Sequence, residues 1–162
     1  EDTPPELWGA VFHVDALRAL ILPALSLAVV QEVLAVALVG SKSVEVRGRP
    51  AAPVLGARFE LMRVIQNLLK NAIESGASSV SVDFDGSEKE VSLTVRDDGP
   101  GMTPQQLNDA LRGGFTTKPH GTGLGLSICR HIVASHGGRL LLKSASQVGT
   151  EASMFLPSAE PT

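Results

Sequence analysis

The hydrophobic pattern of this chain changes its period, and that change constrains the fold more than any single residue. Leu61, Ile65, Leu68 and Ala72 recur at i, i+4 and i+7, the spacing of one helix face packed on a core. A helix over Arg58–Ser75 is expected, with Gly76 as its stop. The period then drops to two. Val80, Val82 and Phe84 alternate with polar residues, as do Val91, Leu93 and Val95, and Asp85–Gly86 between them predicts a hairpin. Thr103, Pro104 and Gln106 have the form of a capping box with proline at the first helical position. They predict a short helix to Arg112, ended by Gly113–Gly114. A longer helix is expected over Thr122–His136, with Ile128, Ile132 and Val133 inward and Gly137–Gly138 as its stop. Strands over Arg139–Ser144 and Thr150–Leu156 follow. Upstream, the pattern predicts an amphipathic helix over Asp15–Gln31, a buried strand over Val33–Val39 and a loop over Gly48–Gly56. This order of strands and helices specifies an α+β sandwich, a mixed sheet with helices on one face.

Composition narrows the class. The chain has 162 residues, one domain's worth, and its 43% hydrophobic and 19% charged content excludes disorder. A net charge of −3 excludes the electrostatic footprint of a nucleic-acid binder. The single cysteine, Cys129, excludes an internal disulfide framework and a cysteine-rich zinc site. It fits a reducing compartment, and a cytoplasmic location is expected. The most apolar stretch, Ala19–Val39, is broken by Pro23, Ser26, Gln31 and Glu32, so it falls short of a spanning helix. No basic segment precedes it, which argues against a signal peptide. No membrane contact by this domain is expected.

Four stations between these elements carry chemistry. Asn67 and Asn71 stand four residues apart on one helix, which puts both carboxamides on one face, where neutral oxygens can ligate a hard cation. Asp97–Asp98–Gly99–Pro100–Gly101 closes a strand. A carboxylate there can accept a hydrogen bond from an amino group, and the glycines let backbone approach a flat ring. Phe115–Thr116–Thr117–Lys118 offers two hydroxyls and an ammonium suited to phosphate oxygens. Gly121–Thr122–Gly123–Leu124–Gly125–Leu126 opens a helix, where free N–H groups and the helix dipole favour an anion. It is neither the dinucleotide fingerprint, since no βαβ unit precedes it, nor a P-loop, since no Gly-Lys-Ser/Thr follows. Taken singly, each station has a bland reading: solvated asparagines, an Asp-Gly turn, a surface loop, a helix start.

The joint order is far more specific. It runs N-x-x-x-N, D-x-G-x-G thirty residues after Asn67, F-T-T-K, then G-T-G-L-G-L twenty-four residues after Asp97. This resembles the ATP-binding catalytic domain of sensor histidine kinases, within the gyrase/chaperone/histidine-kinase/mismatch-repair ATPase superfamily. Gly149–Thr150 matches the final glycine station, and the resemblance covers about Phe12–Pro157. It implies a Bergerat-type fold: a two-layer sandwich of about five mostly antiparallel strands and about three helices. It implies ATP and Mg²⁺ as cofactors, with Asn71 as the Mg²⁺ ligand and Asn67 beside it. Asp97 would hydrogen-bond the adenine amino group, Gly99 and Gly101 would line the base pocket, and Thr150 would sit under the base. Met102–His120 would form the lid, with Thr116, Thr117 and Lys118 at the phosphates. Gly121, Thr122, Gly123, Leu124, Gly125 and Leu126 would hold the triphosphate. The catalytic set is then Asn67, Asn71 and Lys118.

Two departures sharpen this. In hydrolytic members a glutamate four residues before the Mg²⁺ asparagine is the general base for water. Here that position is Asn67, and a carboxamide cannot take that proton. The resemblance therefore implies phosphoryl transfer to a protein side chain, by positioning and charge stabilisation. Three positions after Asn71, where many histidine kinases carry a basic residue, stands Glu74. Together with F-T-T-K this resembles the nitrogen-regulation and oxygen-sensing branch, in which Lys118 would supply the missing charge.

None of His13, His120, His131 and His136 is followed by an acidic residue, so none resembles a phosphoacceptor. His131 and His136 are expected to be structural or solvated, and Cys129 to be core. The chain starts at Glu1 rather than methionine. The expected organisation is a linker over 1–14, a catalytic domain over 15–157 and a tail over 158–162. The dimerising acceptor hairpin is expected before Glu1 in a longer protein, and a response regulator is an indirect partner. The isolated domain is expected to be a monomer. The alternatives are a degenerate nucleotide-binding module, or a serine kinase of the anti-sigma type.

Overall fold

The computed structural model describes residues 43–47, 54, 56–114, 116 and 121–158. The expected linker, the helix over Asp15–Gln31 and the strand over Val33–Val39 lie outside them, as do Phe115, Thr117, Lys118 and His120. In chain order the elements are β1 (Ser43–Arg47), α1 (Arg58–Glu74), β2 (Ser79–Gly86) and β3 (Glu90–Asp97), then α2 (Pro104–Arg112), α3 (Gly125–Ser135), β4 (Arg139–Ala145) and β5 (Gly149–Pro157). The five strands form one sheet in the order β1-β2-β3-β5-β4. β1 runs parallel to β2, and every other pair is antiparallel. The expected α+β class, with a mixed and mostly antiparallel sheet, holds.

Strand alternation separates the two faces of the sheet. Val80, Val82, Val91, Leu93, Val95, Leu140, Ala152, Met154 and Leu156 are buried in one cluster with the helices. From α1 that cluster takes Leu61, Val64, Ile65, Leu68, Leu69, Ala72 and Ile73, and from α3 Cys129, Ile132 and Val133. The expected stripe on α1 was thus too narrow. A helix that packs on a sheet and on a second helix buries two adjacent stripes. The opposite face is polar. Arg96 bridges Asp83 and Glu151, Lys143 pairs with Glu151 at 3.4 Å, and Arg139 pairs with Glu90. The Arg139 guanidinium also lies 4.2 Å from the Phe155 ring centroid, a cation–π contact.

Several boundaries moved, each for a local reason. β2 continues through Asp85–Gly86, and the turn is Ser87–Lys89, closed by Ser87 N–H on Glu90 O at 2.7 Å. α3 begins at Gly125, not Thr122, because Gly123 has φ +68 and cannot continue a right-handed helix. β1 was not anticipated, although Val44 and Val46 alternate with polar neighbours. Val54, assigned to a loop, is buried in the core cluster. The capping box is as expected: Thr103 accepts from Gln106 N–H, and Gln106 accepts from Thr103 N–H at 2.9 Å.

α1 has no side-chain cap of its own. Instead, Ala57 N–H donates to His136 Nε2 at 2.9 Å, while His136 Nδ1 lies 2.8 Å from Ile132 O. An Nδ1–H tautomer satisfies both contacts. His136 therefore ties the end of α3 to the start of α1, and is structural as expected. His131 is exposed on α3.

Candidate nucleotide site

The register brings three side chains together at one end of the sheet's inner face. Asp97 of β3 pairs with Thr150 of β5, which pairs with Ser144 of β4. Ser144 Oγ lies 2.8 Å from Thr150 Oγ1 and accepts Met102 N–H at 2.9 Å. Asp97 Oδ1 accepts Gly99 N–H at 2.9 Å and lies 3.3 Å from Ser75 Oγ. Burial raises the Asp97 carboxyl above the usual carboxylate range, against hydrogen bonds from Gly99, Ser75 and Thr150 that lower it; the Asp98 charge raises it further.

Two glycines are needed here for space. A Cβ on Gly149 would lie 2.0 Å from Asp97 O, and one on Gly101 would lie 1.9 Å from Ala145 O. Both residues also have positive φ, +122 and +64. The β4–β5 turn is thus pressed against the Asp97–Gly101 loop, and Gln147 N–H donates to Pro100 O at 2.7 Å.

The second half of the site lies where α1 meets α3. Asn67 is half-buried, and its Oδ1 is 3.8 Å from where a Cβ on Gly125 would stand. Its carboxamide lies beside the Cys129 thiol, which donates to Val64 O at 3.8 Å and which burial pushes up to about 11. Cys129 is core, as expected, and its thiol is held in the protonated, unreactive form. Leu124 at the start of α3 provides no side-chain cap, so no cap side chain takes the first N–H groups of the helix, the condition that an anion site requires; Leu124 N–H itself donates to Thr122 Oγ1 at 3.4 Å. Gly114 N–H donates to Gly123 O at 2.9 Å, which closes the base of the segment between α2 and α3.

Asn67, Asn71 and Ser75 are spaced by four residues along α1 and its C-cap. They form one polar ledge, about 12 Å long at the helical rise. One end of the ledge meets Gly125 and the other meets Asp97. The structure thus joins Asn67 with Gly125, and Asp97 with Gly99, Gly101 and Thr150, with Asn71 on the ledge between them. Gly121, Thr122 and Leu124 are exposed ahead of α3, Leu126 packs against the core, and Thr116 is exposed. Sequence reading missed Ser75 and Ser144. Ser75 continues the i+4 spacing of Asn67 and Asn71, but only the packing of α1 on β3 reveals its partner, and only the strand register reveals that of Ser144.

A family model described as histidine kinase-, DNA gyrase B- and HSP90-like ATPase matches residues 56–160. The chain belongs to this ATPase family. As an ATPase-family domain it is an ATP-binding domain. The sensor histidine kinase GtrS of Pseudomonas aeruginosa is 41% identical over 116 residues, 70% of this chain and 24% of that protein. The sensor protein FixL of Bradyrhizobium diazoefficiens is 32% identical over 141 residues, 81% of this chain and 28% of that protein. The solved mycobacterial sensor histidine kinase MprB superposes with a TM-score of 0.67 at 29% identity, covering 80% of this chain and 92% of that one. The chain spans about a quarter of the length of these curated relatives. Among the described residues no helix is long and apolar enough to cross a membrane.

Proposed function

We propose that this ATP-binding domain transfers the γ-phosphate of ATP to a histidine on a separate dimerisation and phosphoacceptor domain, in two-component signalling. The observation that carries the reading is the ledge on α1. It runs from the start of α3 to Asp97, and it offers a carboxamide where a hydrolase would offer a general base. The similarity to sensor histidine kinases supports it.

Asp97 accepts from the adenine amino group, Gly99 and Gly101 line the pocket, and Thr150 lies under the base. The N–H groups at Gly121–Leu126 hold the triphosphate, with Thr116, Thr117 and Lys118 contributing at the phosphates. Among the described residues there is no cluster of three His, Cys, Asp or Glu side chains that could hold a metal. A hard cation brought in with the phosphates fits the oxygen donors on the ledge, and Asn71, with Asn67 beside it, would hold Mg²⁺. That ion would supply charge neutralisation at the phosphates.

Catalysis by this chain is then mainly orientation. Asn67, Asn71 and the α3 N-terminus hold the phosphates, and Asp97 sets where the base sits. The test is to mix the chain with the helical hairpin of its full-length protein, Mg²⁺ and γ-labelled ATP. Acid-labile phosphohistidine on the hairpin is expected. Nucleotide binding without transfer would establish a degenerate binding module, and acid-stable phosphoserine a serine kinase.

A further inference from the structure

The Asp97 carboxylate is braced by a residue that neither its strand nor its loop supplies. Ser75, the C-cap of α1, is half-buried, and its single hydroxyl proton has two acceptors in reach: Ala72 O at 2.8 Å and Asp97 Oδ1 at 3.3 Å. The same oxygen accepts Ala77 N–H at 3.2 Å, so Ser75 is held in place by the backbone on both sides. Gly99 completes the arrangement. A Cβ there would lie 2.6 Å from Ser75 Oγ and 2.7 Å from Asp97 Oδ1, so the three groups fit only together.

We propose that Ser75 is a positioning residue for base selection. Its hydroxyl engages Asp97 Oδ1 beside Gly99 N–H, holds Asp97 as an acceptor-only carboxylate, and so favours adenine over a base that carries a carbonyl in place of the amino group. The proposal rests on Asp97 being the adenine acceptor. Adenine offers an N–H donor at that position, which an ionised carboxylate accepts. Hypoxanthine offers a carbonyl oxygen, which requires a donor and hence a protonated Asp97. Donors on Asp97 favour the ionised form, while its burial and the neighbouring Asp98 favour the protonated one. Ser75 is the side-chain donor among them. The shared O–H suits this role: it turns toward Oδ1 when the carboxylate is charged and toward Ala72 O when it is not.

The experiment measures equilibrium binding of ATP and ITP to the full chain and to Ser75→Ala and Ser75→Thr, from about pH 5 to 8. In Ser75→Ala, ATP binding is expected to weaken about three- to tenfold, the cost of one modest hydrogen bond. The loss of ATP affinity on acidification should begin at a higher pH, and the ATP:ITP ratio should fall. Ser75→Thr keeps the hydroxyl and should restore the ratio and the pH profile. Equal weakening for both nucleotides with an unmoved pH profile would show that Ser75 only ends the helix, and would overturn the proposal. If Ser75→Ala fails to fold, Ser75→Cys, a weaker donor of similar size, reads the same ratio. Wild-type protein that binds ATP and ITP equally would overturn the assignment of Asp97 itself, a result distinct from discrimination that survives the loss of Ser75.

Discussion

Replacing Asp97 by asparagine separates what this carboxylate does for binding from what it costs the fold. The substitution preserves shape, and the new carbonyl oxygen can still accept Gly99 N–H, at 2.9 Å in the native site. The other oxygen becomes an NH₂ group, which meets the adenine amino group donor to donor. Losing one charge-assisted hydrogen bond costs about 1.5–3 kcal/mol, roughly ten- to a hundredfold in Kd. Stability should move the other way. Burial raises the Asp97 carboxyl above its ordinary range, so the ionised group disfavours folding at neutral pH. Its contribution is fully present below the unfolded-state value and is lost as pH rises through the folded one. Removing the charge removes that penalty. Asp97→Asn is therefore expected to melt no lower than wild type at pH 7, while calorimetry reports ATP binding weakened by at least tenfold. Unchanged affinity would remove Asp97 from the base site. A melting point several degrees lower would show that Asp97 is mainly structural, and that the loss of binding follows from unfolding.

Asn71→Ala should spare adenosine binding and abolish the part of ATP affinity that depends on Mg²⁺, read by titrating ATP with and without the ion; loss of adenosine binding would refute the division of the site. Gly149→Ala places a methyl 2.0 Å from Asp97 O at φ +122. It should either prevent folding or push Asp97 out of place and eliminate ATP binding, whereas near-normal binding would mean that the β4–β5 turn is free to move. His136→Ala leaves Ala57 N–H and Ile132 O without their ring partner and should cost about 1–3 kcal/mol. Thermal melting would register a drop of several degrees with phosphotransfer otherwise intact; an unshifted melt would show that water replaces the ring.

The periodic parts of the chain were legible and the aperiodic parts were not. The stripe of α1 and the alternation of β2 and β3 follow from burial on one face, which any sheet-and-helix packing enforces. The capping box at Thr103 needed no tertiary context, because its two hydrogen bonds lie within four residues. The start of α3 was misplaced because Gly123 takes a positive φ set by the loop, and nothing local distinguishes it from Gly125. The hairpin turn slid past Asp85–Gly86 because the pairing of β3 with β2 and β5 fixes the register, and this outweighs a turn signal. At the site, Asn67, Asp97 and the glycines were legible as a spaced pattern. Ser75, although four residues after Asn71, and Ser144 were not, since Ser75 meets Asp97 and Ser144 meets Met102, 22 and 42 residues away in sequence.

On the proposed reading, the surroundings of Asn67 bear on why phosphate would go to a protein side chain rather than to water. Its carboxamide lies beside the Cys129 thiol and Gly125, in the seam between α1 and α3. A carboxylate at that place would sit against a thiol that burial already holds protonated, in a setting that penalises charge. The carboxamide fits without that penalty, at the junction that carries the start of α3. Along the ledge, residues 67, 71 and 75 present two carboxamides and a hydroxyl, none of which takes a proton from water at neutral pH. Water reaching the γ-phosphate would find orientation without a base to take its proton, whereas the unprotonated nitrogen of an imidazole docked from a partner domain attacks without first losing one. On that reading the site suits a nucleophile that needs no deprotonation by this chain, a property by which histidine differs from water as an acceptor.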